Sequence, residues 1–442
     1  MLELDFKDLD SAKIGRESGL EVDAELAVWA PVLDRHHQAL LDRAQDPAAM
    51  LGWITVPEDT EAVRTVKRYA EGAAWAREVV VLGIGGSALP TRGLYEALGL
   101  SQRTLHFLDH TDPLPIRRLL SRLDPKKTLV LAISKSGGTV ETAALLLVFR
   151  RWLEAALGEG WRRHLAVVTD PEKGALRAYA RAEGLTAFDV PPAVGGRFSA
   201  LTPVGTLPLA LVGADLEALL MGARRANRRA RETAAKSALL LFLLERYRKK
   251  PIHVLMPYGK RLFGIGQWFA QLHGESLGKA KDQKGSRVHT GPTPFPALGP
   301  SDQHSLLQLF REGPFDKVVV FLRMKDPGED LTLPAVPGLE AFEYLFEKTL
   351  FTLQEAEAEG TRLALQEAGR PSFTLWIERA DEESLGELYQ FLMWQTAFLG
   401  ELYGVNAFDQ PGVELAKIYA HALLGRKGYE EIRERLQTEE GP

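Results

Sequence analysis

A short apolar, β-branched run that stops at a glycine constrains this chain most. It reads Val79-Val80-Val81-Leu82-Gly83, and the same grammar returns at Thr128-Leu129-Val130-Leu131-Ala132-Ile133 ahead of another glycine turn. Runs of this length without polar alternation belong to strands covered on both faces, as in parallel sheets flanked by helices. A helix-length stretch follows each turn, the second continuing to about residue 157. Residues 165–169, a helix after Pro171 and a strand near 185–190 extend the series. The expected architecture is α/β with a doubly wound, mainly parallel sheet.

A helical stretch over 207–249 leads into a second α/β unit, in which 252–256, 317–322 and 372–377 read as strands and 262–272, 338–367 and 382–402 as helices. The expected domains are 58–206 and 207–442, the latter with C-terminal helices. Residues 1–57 read as a helical segment of mixed polarity, without strand signals, packing on the domains. Residues 286–300, rich in glycine and proline, read as a functional loop or surface connection bordering a site.

At 442 residues and 45% hydrophobic content the chain can fill substantial cores. It has no cysteine, so disulfides, thiolate zinc sites and cysteine nucleophiles are excluded, and any chemistry falls to oxygen and nitrogen groups. A formal charge of −5 argues against a general attraction to nucleic acid, so an anionic substrate needs local positive potential. The basic run Arg224-Arg225-Ala226-Asn227-Arg228-Arg229-Ala230-Arg231 reads as a solvated helix face. The N-terminus is acidic where a signal peptide is basic, and the apolar run 238–244 is too short to span a bilayer, so a soluble cytoplasmic protein without membrane contact is expected.

Ser134-Lys135-Ser136-Gly137-Gly138-Thr139 falls where a strand turns into a helix. There, unpaired N–H groups and the helix dipole favour an anion, Ser134, Ser136 and Thr139 add hydroxyl donors, and glycine lets the backbone approach. The residues alone fit an N-cap and tight turn as well. Gly83-Ile84-Gly85-Gly86-Ser87 supplies a second such turn, without the later glycine of a dinucleotide fingerprint or the lysine of a Walker loop. In Gly266-Gln267-Trp268-Phe269-Ala270-Gln271-Leu272-His273-Gly274-Glu275-Ser276-Leu277-Gly278-Lys279, Gln271 lies one helical turn before the carboxylate of Glu275. Taken singly, Arg197 fits a surface salt bridge, His304 a structural histidine and Lys417 a solvated helix residue. No His-Glu-x-x-His segment or histidine cluster points to a metal.

Five segments together resemble the glucose-6-phosphate isomerases, in that family's order: Gly83 to Ser87, Ser134-Lys135-Ser136-Gly137-Gly138-Thr139-Val140-Glu141-Thr142, Gly195-Gly196-Arg197-Phe198-Ser199, Gly266 to Lys279, and Asp409-Gln410-Pro411-Gly412-Val413-Glu414-Leu415-Ala416-Lys417. The resemblance implies two sugar-isomerase domains of three-layer αβα type and aldose–ketose isomerisation of a hexose 6-phosphate through an enediol(ate), without cofactor or metal. It implies Glu275 as the base, Arg197 as the stabiliser of enediolate charge, and His304 and Lys417 as ring-opening groups. Gly86, Ser87, Ser134, Lys135, Ser136, Thr139, Gln271 and Gln410 are the implied substrate contacts. It further implies a homodimer in which His304 serves the partner's site. Gly138 stands where many relatives have threonine, and Ala88 where many have a larger or polar residue. A bifunctional glucose/mannose phosphate isomerase is an alternative, against which Gln271 speaks, because that group has threonine there. A sugar-phosphate-binding regulator is another, which would need the serine and threonine loops but not Glu275, His304 and Lys417 together.

Overall fold

The computed structural model describes residues 1–439; residues 440–442, the end of the expected second domain, lie outside that description. In chain order the strands are β1 (Glu3–Asp5), β2 (Glu78–Leu82), β3 (Thr104–Leu108), β4 (Thr128–Ser134), β5 (Leu165–Thr169), β6 (Thr186–Asp189), β7 (Ile252–Pro257), β8 (Lys279–Lys281), β9 (Arg287–Thr290), β10 (Thr293–Pro296), β11 (Lys317–Met324) and β12 (Ser372–Ile377). The first sheet has the order β3-β2-β4-β5-β6, all parallel. The second has the order β1-β12-β11-β7-β10, parallel except for β1. Both are doubly wound as expected: strand order reverses between β2 and β4 in one and between β7 and β11 in the other.

The inner positions of β2 and β4 are apolar because both of their faces are covered. Along β2, Val79 and Val81 enter a core shared between the two sheets, while Val80 and Leu82 enter the core on the outer face. β4 repeats the period of two, with Leu129, Leu131 and Ile133 on the shared side and Val130 and Ala132 outside. Each of these Val, Leu and Ile side chains contributes about 1.5–3 kcal/mol by leaving water. The shared core is filled by the helix Glu382–Tyr403, which the Asp381 carboxylate caps at Ser384 N and the left-handed Gly404 ends. This helix meets the helix Leu216–Arg229 at two glycines. A Cβ on Gly222 would stand 1.8 Å from Glu383 O, and one on Gly386 1.9 Å from Leu219 O, so any side chain there would force the helices apart.

The sequence expectations miss mainly at the edges. Residues 1–57 contain β1, which pairs antiparallel with β12 through Leu4 and Leu375; a three-residue strand is too short to show a period. β3 has no counterpart among the expected strands: its polar His106 faces Glu78 at 2.8 Å, as an edge strand permits. Residues 286–300 are not simply a loop, since β10 lies within them and pairs with β7; it carries Pro294 and Pro296, which an edge position tolerates. The helix expected over 338–367 starts only at Leu350, where the Thr349 hydroxyl caps Thr352 N at 3.1 Å.

The basic run is no solvated face. Arg224 donates to Pro57 O at 2.8 Å, Arg225 pairs with Glu383 and Glu387, and Arg231 with Asp34. Arg229 and Leu2 N also bond Glu387, whose carboxylate is buried. These cations tie residues 1–57 to the helical layer, and their pairing is what lets Glu387 be buried.

Candidate active site

β2 and β4 flank the point where the first sheet reverses, the crevice in which open α/β sheets bind ligands. Beyond β4, the Ser134 and Thr139 hydroxyls meet at 2.8 Å and Gly138 N donates to Ser136 Oγ at 3.3 Å. Thr139 occupies the N-cap position of the helix Val140–Leu157 but makes no side-chain cap bond, since its hydroxyl is turned to Ser134. The simple N-cap alternative is thus not realised, and the first-turn N–H groups keep their affinity for an anion. Lys135 reaches away to Pro192 O at 2.9 Å; burial pulls its pKa down, and Asp170 opposes this.

Beyond β2, the turn Gly85–Ser87 presses on the loop that carries Arg197. A Cβ on Gly86 would stand 2.4 Å from Gly196 O, and Gly85 has a φ of +58°, so both positions need glycine for the turn to reach the site.

Arg197 is buried and uses all of its donors, contrary to a surface salt bridge. Nε bonds Ser276 Oγ at 2.7 Å. Nη2 bonds Ala407 O at 2.7 Å and Asp409 O at 3.0 Å. Nη1 faces Gln410 Oε1 at 2.8 Å and Glu275 Oε2 at 3.4 Å. Its own carbonyl accepts from Trp268 Nε1 at 2.9 Å. Burial lowers its pKa, Glu275 and Asp409 counter that, and a guanidinium stays charged throughout.

Glu275 lies near the end of the helix Phe263–Leu277, with its side chain about one-third exposed (34%). Gln271, one turn earlier, donates from Nε2 to Glu275 Oε1 at 3.1 Å. The carboxylate is therefore held at both oxygens, by an amide and by a cation. Gln271 Oε1 has no hydrogen-bond partner and is left as an acceptor suited to a hydroxyl.

Glu275, Arg197, Gln271 and Gln410 thus come together beside the glycine turns. His304 does not join them within the protomer: it is exposed on the turn Ser301–His304 and bonds none of them. The neighbouring Gln303 amide anchors that turn to Tyr258 Oη at 3.0 Å and Glu357 O at 2.8 Å. Lys417 is also exposed and bonds Glu414 Oε1 at 2.9 Å. Sequence reasoning missed Ser276, Lys279 and Asp409; the first two were visible as polar residues in the same segment as Glu275. A mainly apolar cavity of about 410 Å³ runs from Ser134, Gly137 and Thr139 along the helix Val140–Leu157 to Leu146 and Leu176, without Glu275 or Arg197 in its wall. Among the described residues, no group of three or more His, Asp or Glu side chains is placed to hold a metal, and no helix is long and apolar enough to cross a membrane.

A family model described as phosphoglucose isomerase matches residues 37–321 and 357–434. The glucose-6-phosphate isomerase of Thermus thermophilus is 55% identical over 404 residues, covering 90% of this chain and 96% of that relative. A hypothetical protein of solved structure, also from Thermus thermophilus, superposes with a TM-score of 0.89 at 52% identity, covering 96% of this chain and 100% of its own. The crystal structure of a glucose-6-phosphate isomerase from Chlamydia trachomatis gives a TM-score of 0.76 at 26% identity, with 86% of this chain and 76% of that one covered.

Proposed function

The chain belongs to the phosphoglucose isomerase family, and from that premise we propose how its residues share the reaction. The chain is an enzyme that interconverts D-glucose 6-phosphate and D-fructose 6-phosphate, a step of sugar-phosphate metabolism consistent with glycolysis. Glu275 takes the proton from C2 of the open-chain aldose, the C–H electron pair becomes the C1=C2 bond, and the C1 carbonyl oxygen gains the electron pair and then a proton. Return of a proton from Glu275 to C1, with loss of the O2 proton, gives the ketose. Arg197 Nη1, aimed between Glu275 and Gln410, stabilises the enediolate oxygens, and the phosphate rests on Ser134, Ser136, Thr139 and the open N–H groups behind them. Gly86 and Ser87 line the pocket, Lys135 supplies positive potential at its edge, and Gln271 and Gln410 orient hydroxyls.

The observation that carries this reading is the Glu275 carboxylate held by the Gln271 amide on one oxygen and the Arg197 guanidinium on the other. Ring opening needs two further groups, and the exposure of His304 and Lys417 supports a homodimer in which the partner's His304 approaches the sugar ring while Lys417 approaches the ring oxygen. The units are read as domains 58–206 and 207–442 with residues 1–57 packed on them. A substrate bearing a phosphate dianion is retained by membranes, which supports a cytoplasmic location. The test is a coupled assay of fructose 6-phosphate formation by the purified protein with mannose 6-phosphate as competing substrate. Turnover of glucose 6-phosphate alone is expected; comparable turnover of mannose 6-phosphate would move the assignment to a bifunctional isomerase.

A further inference from the structure

The chain leaves the core at Phe408, which is buried, and Asp409 to Lys417 are all exposed. Gln410 belongs to this exposed stretch yet has to meet Arg197 at a fixed place. Past Gln410 the stretch bonds within itself, Lys417 to Glu414. At its start two buried cations converge on one carbonyl: Arg197 Nη2 and Lys279 Nζ both donate to Asp409 O.

Lys279 does more than share that carbonyl. Its ammonium also donates to Glu275 O at 2.9 Å and pairs with Asp409 Oδ1 at 3.0 Å, while Asn406 Nδ2 takes the other carboxylate oxygen at 3.0 Å. Glu275 O belongs to the last turn of its helix, whose carbonyls have no partner within the helix, so a lysine there also closes the helix end. The three donors of one ammonium are thereby spent on the base's own backbone and on both acceptors of Asp409. A lysine buried to this degree loses hydration that these bonds replace, and it gains nothing by moving.

We infer that Lys279 is a positioning residue that latches Asp409 onto the end of the Glu275 helix and so fixes Gln410 between Arg197 and the base. The inference rests on the assignment of Glu275, Arg197 and Gln410 to the isomerase site. Without the latch, Asp409 loses its tie to the end of the Glu275 helix, and Gln410 is held through Arg197, at Asp409 O and at its own amide oxygen, with no bond to the helix end.

The chain has no cysteine, so Val413→Cys accepts a single nitroxide label whose spectrum reports the mobility of the stretch. Lys279→Met is expected to sharpen that spectrum and to lower kcat/KM by about a hundredfold, the cost of a misplacement near 1 Å. Lys279→Arg should restore most of both. Gln410→Ala combined with Lys279→Met should lose little beyond the worse single variant, because the two act through one another. An unchanged spectrum, or losses that multiply, would overturn the latch. If Lys279→Met does not fold, Asp409→Asn decides: it keeps the carbonyl and removes the carboxylate, so a partial sharpening is expected and none would overturn it. Full activity of Glu275→Gln would instead defeat the assignment of the base, while the label spectrum still decides the latch.

Discussion

Arg197 Nη1 stands 3.4 Å from Glu275 Oε2 although the two residues are 78 positions apart in the chain. The arginine comes from the loop after the first sheet and the glutamate from the helix after β7, so the pair exists only when both units are folded against the shared core. Four of the five Arg197 contacts hold its own frame or Gln410, and the remaining one turns a permanent cation towards the carboxylate.

Arg197→Lys keeps the charge and loses the fork. A lysine ammonium cannot reach Ser276 Oγ, Ala407 O, Asp409 O and Gln410 Oε1 together. Removing a charge-stabilising donor of this kind costs about 10²- to 10³-fold in kcat, and the loss should appear in kcat more than in KM. Near-normal turnover by the lysine variant would mean that charge alone suffices.

Much of this arrangement was legible in the sequence, for reasons that differ by residue. β2 and β4 could be read because burial on both faces leaves only apolar residues at 79–82 and 129–133. β10 and β3 could not, because edge positions admit Pro294, Pro296 and His106, which contradict the usual strand pattern. The Glu275 helix reads as ending near 272 because Gly274 and Gly278 look like stops, yet it continues to Leu277. Lys279 was invisible as a functional residue because its acceptors are mainly the carbonyls of Glu275 and Asp409, and a main-chain acceptor has no residue-type signature. The phosphate loop carries its meaning in backbone N–H groups, and only the glycines and hydroxyls around them show in the sequence. His304 and Lys417 were legible by resemblance alone, since an exposed side chain bears no local mark of its task.

Stability should fall in mild acid through a buried histidine pair. His253 and His273 are fully buried with ring centroids 6.3 Å apart. Burial pulls His253 down from 6.5 to about 3, and burial together with the neighbouring His253 pulls His273 well below 6.5 against a smaller opposing pull from the Gln395 side chain. Both are therefore neutral in the folded chain near pH 6, while the unfolded chain takes up protons below about 6.5. Folding stability is unaffected by them at higher pH and falls as pH drops from about 6.5, by about 1.4 kcal/mol per pH unit per histidine, until the folded values are reached. Denaturant titrations from pH 7 to pH 5 should show a flatter profile for the His253→Leu, His273→Leu double variant than for the wild type; parallel profiles would contradict this.

His304→Ala and Glu275→Gln should each be inactive alone on cyclic substrate and complement each other when mixed. In a twofold dimer with a shared site, one of the two sites in each heterodimer receives both intact residues, so about half of wild-type activity should return per heterodimer. Verified heterodimers that stay as inactive as their parents, with both variants folded, would place His304 in its own subunit's site.

The most direct test of the account is Glu275→Gln, assayed for isomerisation and for exchange of the C2 proton of glucose 6-phosphate with solvent deuterium. The amide keeps the shape of the side chain and removes the base, so the sugar phosphate should still bind while turnover falls by about 10²- to 10⁴-fold and C2 exchange stops with it. Turnover near wild type, or C2 exchange continuing at an unchanged rate, would show that another group takes the proton and that the constellation around Arg197 has been assigned the wrong chemistry.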